Sequence, residues 1–570
     1  MTTTPKSWIG IFGKWGWTLN NALPLQAHPA TLIALLLFTL ISLGLGVVAN
    51  RVTNKKSGFL EKYFLGNRSL GAIAVALTAA VMSGGTFMGF PSLVYTHGWV
   101  VGLWICSYMV APLTVLGILG KRIGQLGRRT GAVTLPDLFR ERYGSPALGL
   151  ITSVLIMFFL TCNLVPQFKA GALIMKIVLP SSSMTWVIDE SMVTDLDAGY
   201  YLGLFIFTTT VVAYTAYGGF LAAIWTDVFQ SIIMAIGVMI LFPLAMLASG
   251  GLEQATLKGM EQAGNNFGFG PGAGRSFHPI TLALSFFAMW TISGMGQPST
   301  MVRLMAFRDS RTLRWSIIYV TIYNAMIYIP LIFIFVAARS ILPDLGGKSD
   351  EVMPRLVIHL ANPYLAGLIL AAPYGAVMST VSGFMLIVAS GFVRDIYQRF
   401  ARPTASEREI MIASYGATIA VGVIAALIAL RPPQFLQLIV VFASSGMAAA
   451  FLTPALFAAF WRRATAEGAI AAMLVGTSVH LGLYATFTVL KLSDPSFDQG
   501  IGPKVNNMFG AYYFLGFDPF VWSMLASLTA GVVVSLLTPA PDPRRISLLF
   551  DAQPKGAPAP ASLDLHIKEN

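Results

Sequence analysis

Three hydroxyls, on Ser379, Thr380 and Ser382, fall within the run AVMSTVS (Ala376 to Ser382), inside an otherwise apolar stretch from Leu365 to Val393. A stretch of that length spans a bilayer, whose core takes roughly 20 apolar residues. On a helix Ser379 and Ser382 are i and i+3, so their oxygens share one face, with Thr380 beside it. A group of neutral oxygens where water is scarce suits a small hard cation, which prefers oxygen ligands. The same hydroxyls also serve ordinary membrane helices, bonding back to their own backbone or letting helices pack closely. The choice between these readings depends on what else lies at the same depth.

Two charged residues also lie inside apolar spans. Asp227, in YGGFLAAIWTDVFQ, is a carboxylate placed inside an apolar span, seven residues from its cytoplasmic end. At 1.5 Å per residue that is about 10 Å of depth, and an unpaired charge there costs about 3 kcal/mol. Three roles fit it: a cation ligand or relay, a proton carrier, or the partner of a cytoplasmic arginine. Lys169, in NLVPQFKAGALIMK, falls in the outer half of its span after Pro166. It either snorkels toward the outer surface or pairs with a carboxylate on a transported solute.

The elements that must position these groups include two interrupted spans. One contains MSGGTFMGFP, with Gly84, Gly85, Gly89 and Pro91; another ends in SGMGQP, with Gly294, Gly296 and Pro298. Glycine forms helix poorly and proline removes a backbone donor, so both spans are expected to unwind partway. Freed carbonyls at membrane depth are tolerated only where they are buried in protein or line a cavity. Glycines that merely ease helix packing would account for one such segment. Two at matched positions of oppositely oriented halves point to a transporter binding site near the midplane.

Composition agrees with a membrane class. The chain has 570 residues, 55% hydrophobic and 11% charged, with a mean hydropathy of +0.70; a soluble domain carries about 25% charged residues. Apolar runs at about 30–50, 70–94, 99–120, 147–178, 199–217, 220–249, 279–297, 315–338, 364–393, 409–430, 433–460, 467–489 and 518–538 predict about 13 transmembrane helices. Most of the 37 basic residues crowd alternate connections, including Arg51 to Arg68, Lys121 to Arg142, Arg303 to Arg314, Arg394 to Arg408, Arg462 and Arg463. The positive-inside rule then places the N-terminus outside and the C-terminus in the cytoplasm. That distribution, and not a nucleic-acid partner, accounts for the net charge of +12. Cys106 and Cys162 lie in apolar stretches with no metal-ligand spacing and imply no disulfide framework. The start lacks the pattern of a cleaved signal peptide. The expected organisation is an extracytoplasmic segment 1–29 with the aromatic run WIGIFGKWGW, a transmembrane transporter domain 30–538, and a flexible cytoplasmic tail 539–570 rich in Pro and Ala. Core repeats are expected at about 70–249 and 279–460.

Several segments, in order, carry a resemblance: EKYFLGNRSLG, AAVMSGGTFMG, RRTGAVTLPDLFRERYG, YTAYGGFLAAIWTDVFQ, GQPSTMVRLMA and AVMSTVSGFMLIVASGFVRDIY. Together they resemble the sodium/solute symporter family, the branch with proline, pantothenate, sialic acid and sugar carriers, and they look nearest to the pantothenate carriers. The resemblance implies an all-α integral membrane protein of the LeuT type, with ten core helices in two inverted repeats of five. It implies a sodium site of backbone and hydroxyl oxygens from the first and eighth core helices, here matching Ala79, Met82, Ala376, Ser379 and Thr380. Three carbonyls and two hydroxyls would form a neutral shell that can bind and release a monovalent ion each cycle. Some members have an acid before the Met82 position, where this chain has Val81. A second sodium or release site in some members matches Asp227 and Ser382, together with Ser379, but its last ligand position is Gly383, so one sodium per cycle is expected. The implied substrate pocket maps to Ser83, Thr86, Tyr108, Asn163 and Trp290, with Phe87 as an outer lid and Lys169 as the candidate for a carboxylate. An aromatic expected at the second break is Gly294, which predicts a roomier pocket than in proline carriers.

The expected function is therefore sodium-coupled import of a small organic solute across the cytoplasmic (inner) membrane. A carboxylate such as pantothenate, an amino acid or a short organic acid fits best. Sodium is the coupling ion and no other cofactor is expected; the sequence leaves the oligomeric state open. Two alternatives use the same scaffold: proton coupling through Asp227, and a transporter-like sensor. No nucleophile–base set, metal motif or phosphate loop appears, which argues against an enzyme.

Overall fold

The computed structural model describes residues 27–52, 82–132, 134–179, 198–272, 279–307, 309–342, 344–431, 436–502 and 509–551. Among these the regular structure is helical. In chain order the helices are α1 (Pro29–Val52), α2 (Phe90–His97), α3 (Gly102–Thr114), α4 (Lys121–Thr130), α5 (Leu135–Tyr143) and α6 (Pro146–Val178). Next come α7 (Ala198–Gly219) and α8 (Ala223–Ser249), then α9 (Leu252–Ala263), α10 (Ile280–Ile292), α11 (Pro298–Ala306) and α12 (Ser310–Ile341). The remainder are α13 (Val352–Leu360), α14 (Pro363–Ser390), α15 (Glu407–Ile428), α16 (Leu436–Phe460), α17 (Ala466–Ser493), α18 (Pro519–Leu537) and α19 (Pro543–Phe550).

Eleven described helical runs are long and apolar enough to cross a membrane. One is the 46-residue run Gly85–Thr130, which contains both α2 and α3. It reverses at Gly98, whose φ of 70° and ψ of −139° suit a residue without a side chain. The expected passes 70–94 and 99–120 both fall here, with residues 70–81 outside the described chain. A shorter apolar run, Ile280–Gly296, corresponds to the expected 279–297 pass. α7 and α8 are near-continuous but break at Gly219, with φ 64° and ψ −166°.

Helix starts follow local capping chemistry. Asn362 caps α14 by accepting from Leu365 N at 3.0 Å, Ser145 caps α6 through Leu148 N, and Ser406 with Glu409 forms a reciprocal box at α15. The most apolar stretch of α16 is 100% buried and that of α14 78%, against 28% for α15 and α18. The helices bearing the hydroxyl run and its neighbours therefore form the centre, and α1, α15 and α18 the apolar periphery.

The basic end of the bundle is tied together by ion pairs. Asp137 on α5 accepts from Arg394 Nε at 2.8 Å and also pairs with Arg399, both in the π-helical extension of α14 (Gly391–Ala401). Thr134, the α5 cap, donates to Asp395 at 3.1 Å. α19 lies in the segment expected to be a flexible tail, yet it is docked here. Arg129 donates to the Leu549 carbonyl at 2.7 Å, and the Arg142 guanidinium stands 5.0 Å over the Phe550 ring.

Candidate functional site

The first glycine-rich span is non-helical at Met82 and Ser83, just before its glycines; Gly84 is already helical, and Gly85–Gly89 forms a π-turn that runs into α2 at Phe90. Backbone groups released by the break are met by side chains. Gly84 N donates to Gln167 Oε1 on α6 at 2.7 Å, Ser83 N to Thr86 Oγ1 at 3.3 Å, and Gly85 N to Ser83 Oγ at 3.1 Å. The glycines are needed for close approach: a Cβ at Gly84 would lie 2.9 Å from that of Ala170, and one at Gly89 only 2.3 Å from Gln437 Oε1. The second interruption runs from α10 through a 3-10 turn (Ser293–Gly296) to extended Gln297, which opens α11.

The hydroxyl run on α14 faces the first break. Thr380 Oγ1 lies 2.8 Å from the Met82 carbonyl oxygen and 3.0 Å from that of Ala376. A hydroxyl carries one proton, so it can fully satisfy only one of these acceptors. Three oxygens from two helices thus converge, with the carbonyl of an unwound segment among them. Thr380 and Ala376 are buried, and Ser379 is half-buried beside them. Of the expected sodium ligands, Met82, Ala376 and Thr380 are brought together directly. Ser379 lies one residue along, close to Asp227, and Ala79 lies outside the described residues.

A cavity of about 90 Å³ opens alongside. Its walls include Ser83, Thr86, Tyr108, Asn163 and Trp290, as the sequence predicts, and also Thr380. Tyr108 stacks on Trp290, with ring centroids 5.0 Å apart, and on Tyr328 at 4.4 Å. Thr86 Oγ1 meets the Tyr328 hydroxyl at 3.1 Å, fixing that wall. Gly294 also lines the cavity, where an aromatic residue would narrow it.

Three amide side chains on the wall were not singled out from sequence: Gln297, Asn324 and Gln437. Gln437 is 1% exposed, and neither its oxygen nor its nitrogen has a hydrogen-bond partner. An amide buried in that condition is costly unless something else completes it. Trp290 Nε1 and Asn324 Oδ1 are likewise unpartnered. The available signal was a polar residue at the start of the 433–460 run, which apolar periodicity alone does not flag.

Two expected pocket residues are elsewhere. Phe87 is fully buried and is not on the cavity wall, so it packs in the core and does not cap the pocket. Lys169 Nζ pairs with Asp350 Oδ2 at 2.6 Å, and the same oxygen accepts from Leu436 N at 3.2 Å. With Lys176–Glu351 at 2.9 Å and Ser92–Ser349 at 2.7 Å, these contacts clamp the Gly346–Glu351 turn onto α2, α6 and α16. Lys169 neither snorkels nor faces the cavity, because a buried acid on a connecting loop reaches it first. Among the described residues, the cavity wall contains no charged side chain.

Asp227 on α8 is 3% exposed. Its Oδ2 is 3.9 Å from Nη2 of Arg303 on α11. Ser382 turns its hydroxyl back to the Ser379 carbonyl at 3.0 Å.

Comparison with known proteins agrees with this arrangement. Residues 63–476 match the Sodium:solute symporter family. The sodium/pantothenate symporter of Haemophilus influenzae is 32% identical over 81% of this chain and 91% of its own length. That of Escherichia coli is 31% identical over 88% and 95%, and the Haemophilus influenzae sodium/proline symporter is 31% identical over 78% and 86%. Among solved structures, the substrate-bound, outward-open state of a Na+-coupled sialic acid symporter superposes with a TM-score of 0.67 at 18% identity, covering 90% of this chain and 99% of that one. The fold is accordingly the LeuT-type inverted repeat, and the protein is a multi-pass transporter and not an enzyme. On the extent of these matches, the chain belongs to the sodium:solute symporter family.

Proposed function

We propose that this protein imports a small carboxylate-bearing solute with sodium. Met82, Ala376, Ser379 and Thr380, with Ala79, hold the ion, and the cavity beside them holds the solute. The observation that carries this reading is the position of Thr380. Its hydroxyl touches the carbonyl of the broken helix and it also forms part of the cavity wall. An ion drawing Thr380 and Met82 together would order the same segment, Ser83 to Thr86, that lines the pocket. Sodium would then favour the solute-binding conformation through its differential affinity for the two states. Alternating exposure of the site to the two sides follows from rocking of one repeat bundle against the other.

The solute class is drawn from the pocket chemistry and the relatives. With no charged side chain among the described residues of the wall, a carboxylate would be held by neutral donors: the Gln437 amide, the Trp290 indole N–H and hydroxyls of Ser83 and Thr86. Amide groups both donate and accept, which favours a solute carrying hydroxyl or amide groups besides its carboxylate. Pantothenate has all three, and the pantothenate symporters named above match nearly end to end. The tests are thermal stability of the purified protein and uptake into vesicles, with pantothenate, proline, short organic acids and sugars compared in sodium and in choline. Stabilisation by pantothenate only in sodium is expected. Stabilisation by a sugar and by no carboxylate would overturn the solute assignment.

A further inference from the structure

The short helix that follows the last span, α19, touches two sets of helices at the basic end of the bundle. We propose that α19 is a clasp across the joint between these sets, so that the rocking motion must first break its contacts and turnover is limited by that release. The proposal rests on the alternating-access reading above and adds a conformational brake to it.

The first set is α4 with the second interrupted span. A Cβ on Gly124 would lie 2.5 Å from the Phe307 ring, and one on Gly127 would lie 2.8 Å from Met305 Cγ, so α4 sits directly against α11 and the residue after it. The Arg128 guanidinium stands 5.2 Å over the Phe307 ring. The second set is α5 with α16. Tyr143 Oη donates to the Pro454 carbonyl at 2.7 Å, and the fully buried Arg142 donates to the carbonyls of Ala458 at 3.3 Å and Trp461 at 3.0 Å. Between the sets, α4 stops at Gly131, whose φ of 70° and ψ of 8° end the helix before α5 begins.

α19 engages both. Its root is fixed beside the second set: Arg463 Nη2 donates to the Thr538 carbonyl at 2.7 Å, and the Thr465 and Thr538 hydroxyls meet at 2.8 Å. At its tip, the Phe550 ring lies 5.0 Å from the Arg142 guanidinium and 5.4 Å from that of Arg462, which also pairs with Asp551 at 2.7 Å. From the first set, Arg129 donates to the Leu548 and Leu549 carbonyls at 3.3 and 2.7 Å. These are terminal carbonyls that the helix itself leaves unpaired, and a cation at a helix C-terminus is favoured. Ile546 and Leu549 are buried beneath the tip. Two carbonyl contacts, the ring contacts and one exposed ion pair are few enough to open in each cycle and enough to slow it. Because the tip joins the two sets in series, losing the contacts on either side releases it.

The experiment measures the separation of the two sets by pulsed electron resonance between spin labels at the exposed positions Lys121→Cys on α4 and Glu467→Cys on α17, in a chain carrying Cys106→Ser and Cys162→Ser. One separation should dominate with α19 intact. Arg129→Ala and Phe550→Ala should each raise the share of a second, longer separation about threefold, the fold-change for one such exposed contact, and Arg129→Ala/Phe550→Ala should raise it no further. The turnover number for sodium-driven pantothenate uptake, per folded molecule, should rise by a similar factor in all three. Identical separations in all four proteins, effects that multiply in the double variant, or a turnover number that falls would each overturn the clasp. Absence of sodium-driven uptake in the protein with α19 intact would defeat the transport reading instead, while the separations still decide whether α19 restrains the joint.

Discussion

Replacing Thr380 by valine keeps the shape of the side chain and deletes one oxygen. That oxygen lies 2.8 Å from the Met82 carbonyl and 3.0 Å from the Ala376 carbonyl. Losing a single neutral contact of this kind is worth about 1–1.5 kcal/mol, and about 1.4 kcal/mol is tenfold in an equilibrium constant. Thr380→Val is therefore expected to raise the sodium concentration for half-maximal uptake about tenfold. Thr380→Ser, which keeps the oxygen and loses a methyl, should raise it less than about threefold by the same conversion. The assay is the sodium dependence of labelled pantothenate uptake in vesicles, normalised to the amount of transporter in the membrane. Because sodium and solute affinities are linked reciprocally, the valine variant should also show a raised pantothenate KM at low sodium that recovers when sodium is saturating. An unchanged half-saturating sodium concentration in Thr380→Val, or equal shifts in the valine and serine variants, would refute the assignment of this hydroxyl.

Other perturbations separate the sites. Ser379→Ala should weaken sodium activation more than it lowers protein abundance, read from the same normalised uptake curves. Gln437→Leu should raise pantothenate KM at saturating sodium about tenfold or more, the cost of one lost amide contact, while the half-saturating sodium concentration stays within about twofold; equal movement of both constants would contradict a solute-side role. Lys169→Met leaves Asp350 buried without its ammonium, a loss of about 3–5 kcal/mol, so thermal stability in detergent should fall. Lys169→Met/Asp350→Leu should recover most of it, and pantothenate KM per folded molecule should be unchanged in both. Asp137→Asn removes the acceptor shared by Arg394 and Arg399, and it should likewise lower the midpoint of thermal unfolding while leaving sodium affinity in the surviving fraction unaltered.

The features legible in sequence are those written in local chemistry. Glycine and proline clusters mark both interruptions because backbone propensity acts within a few residues, and helix length marks the long crossings because bilayer thickness sets it. Thr380 was reachable because the hydroxyl spacing on one helix is fixed, and the family resemblance supplied Ala376 and Met82 as its partners. Long-range pairing was not legible in the same way. Lys169 looked available for a solute carboxylate, and its actual partner, Asp350, lies 181 residues away on a loop that no local pattern ties to α6. Arg303 entered the sequence reading only as an unspecified cytoplasmic arginine, because nothing nearby in sequence ties it to Asp227. Gln437 escaped notice since a single amide in an apolar run carries no periodic signal; it is the clearance at Gly85 and Gly89 that shows where it projects. The docked helix α19 was missed because its partners, Arg129 and Arg142, are far earlier in the chain.

The most direct test of the central claim is accumulation of labelled pantothenate in proteoliposomes holding the purified full chain, under an imposed gradient of one ion at a time. An inward sodium gradient at equal pH should drive accumulation above equilibrium, collapse when a sodium ionophore is added, and be abolished by Ser379→Ala/Thr380→Val. Accumulation driven by a pH gradient without sodium, and retained in that double variant, would contradict the account.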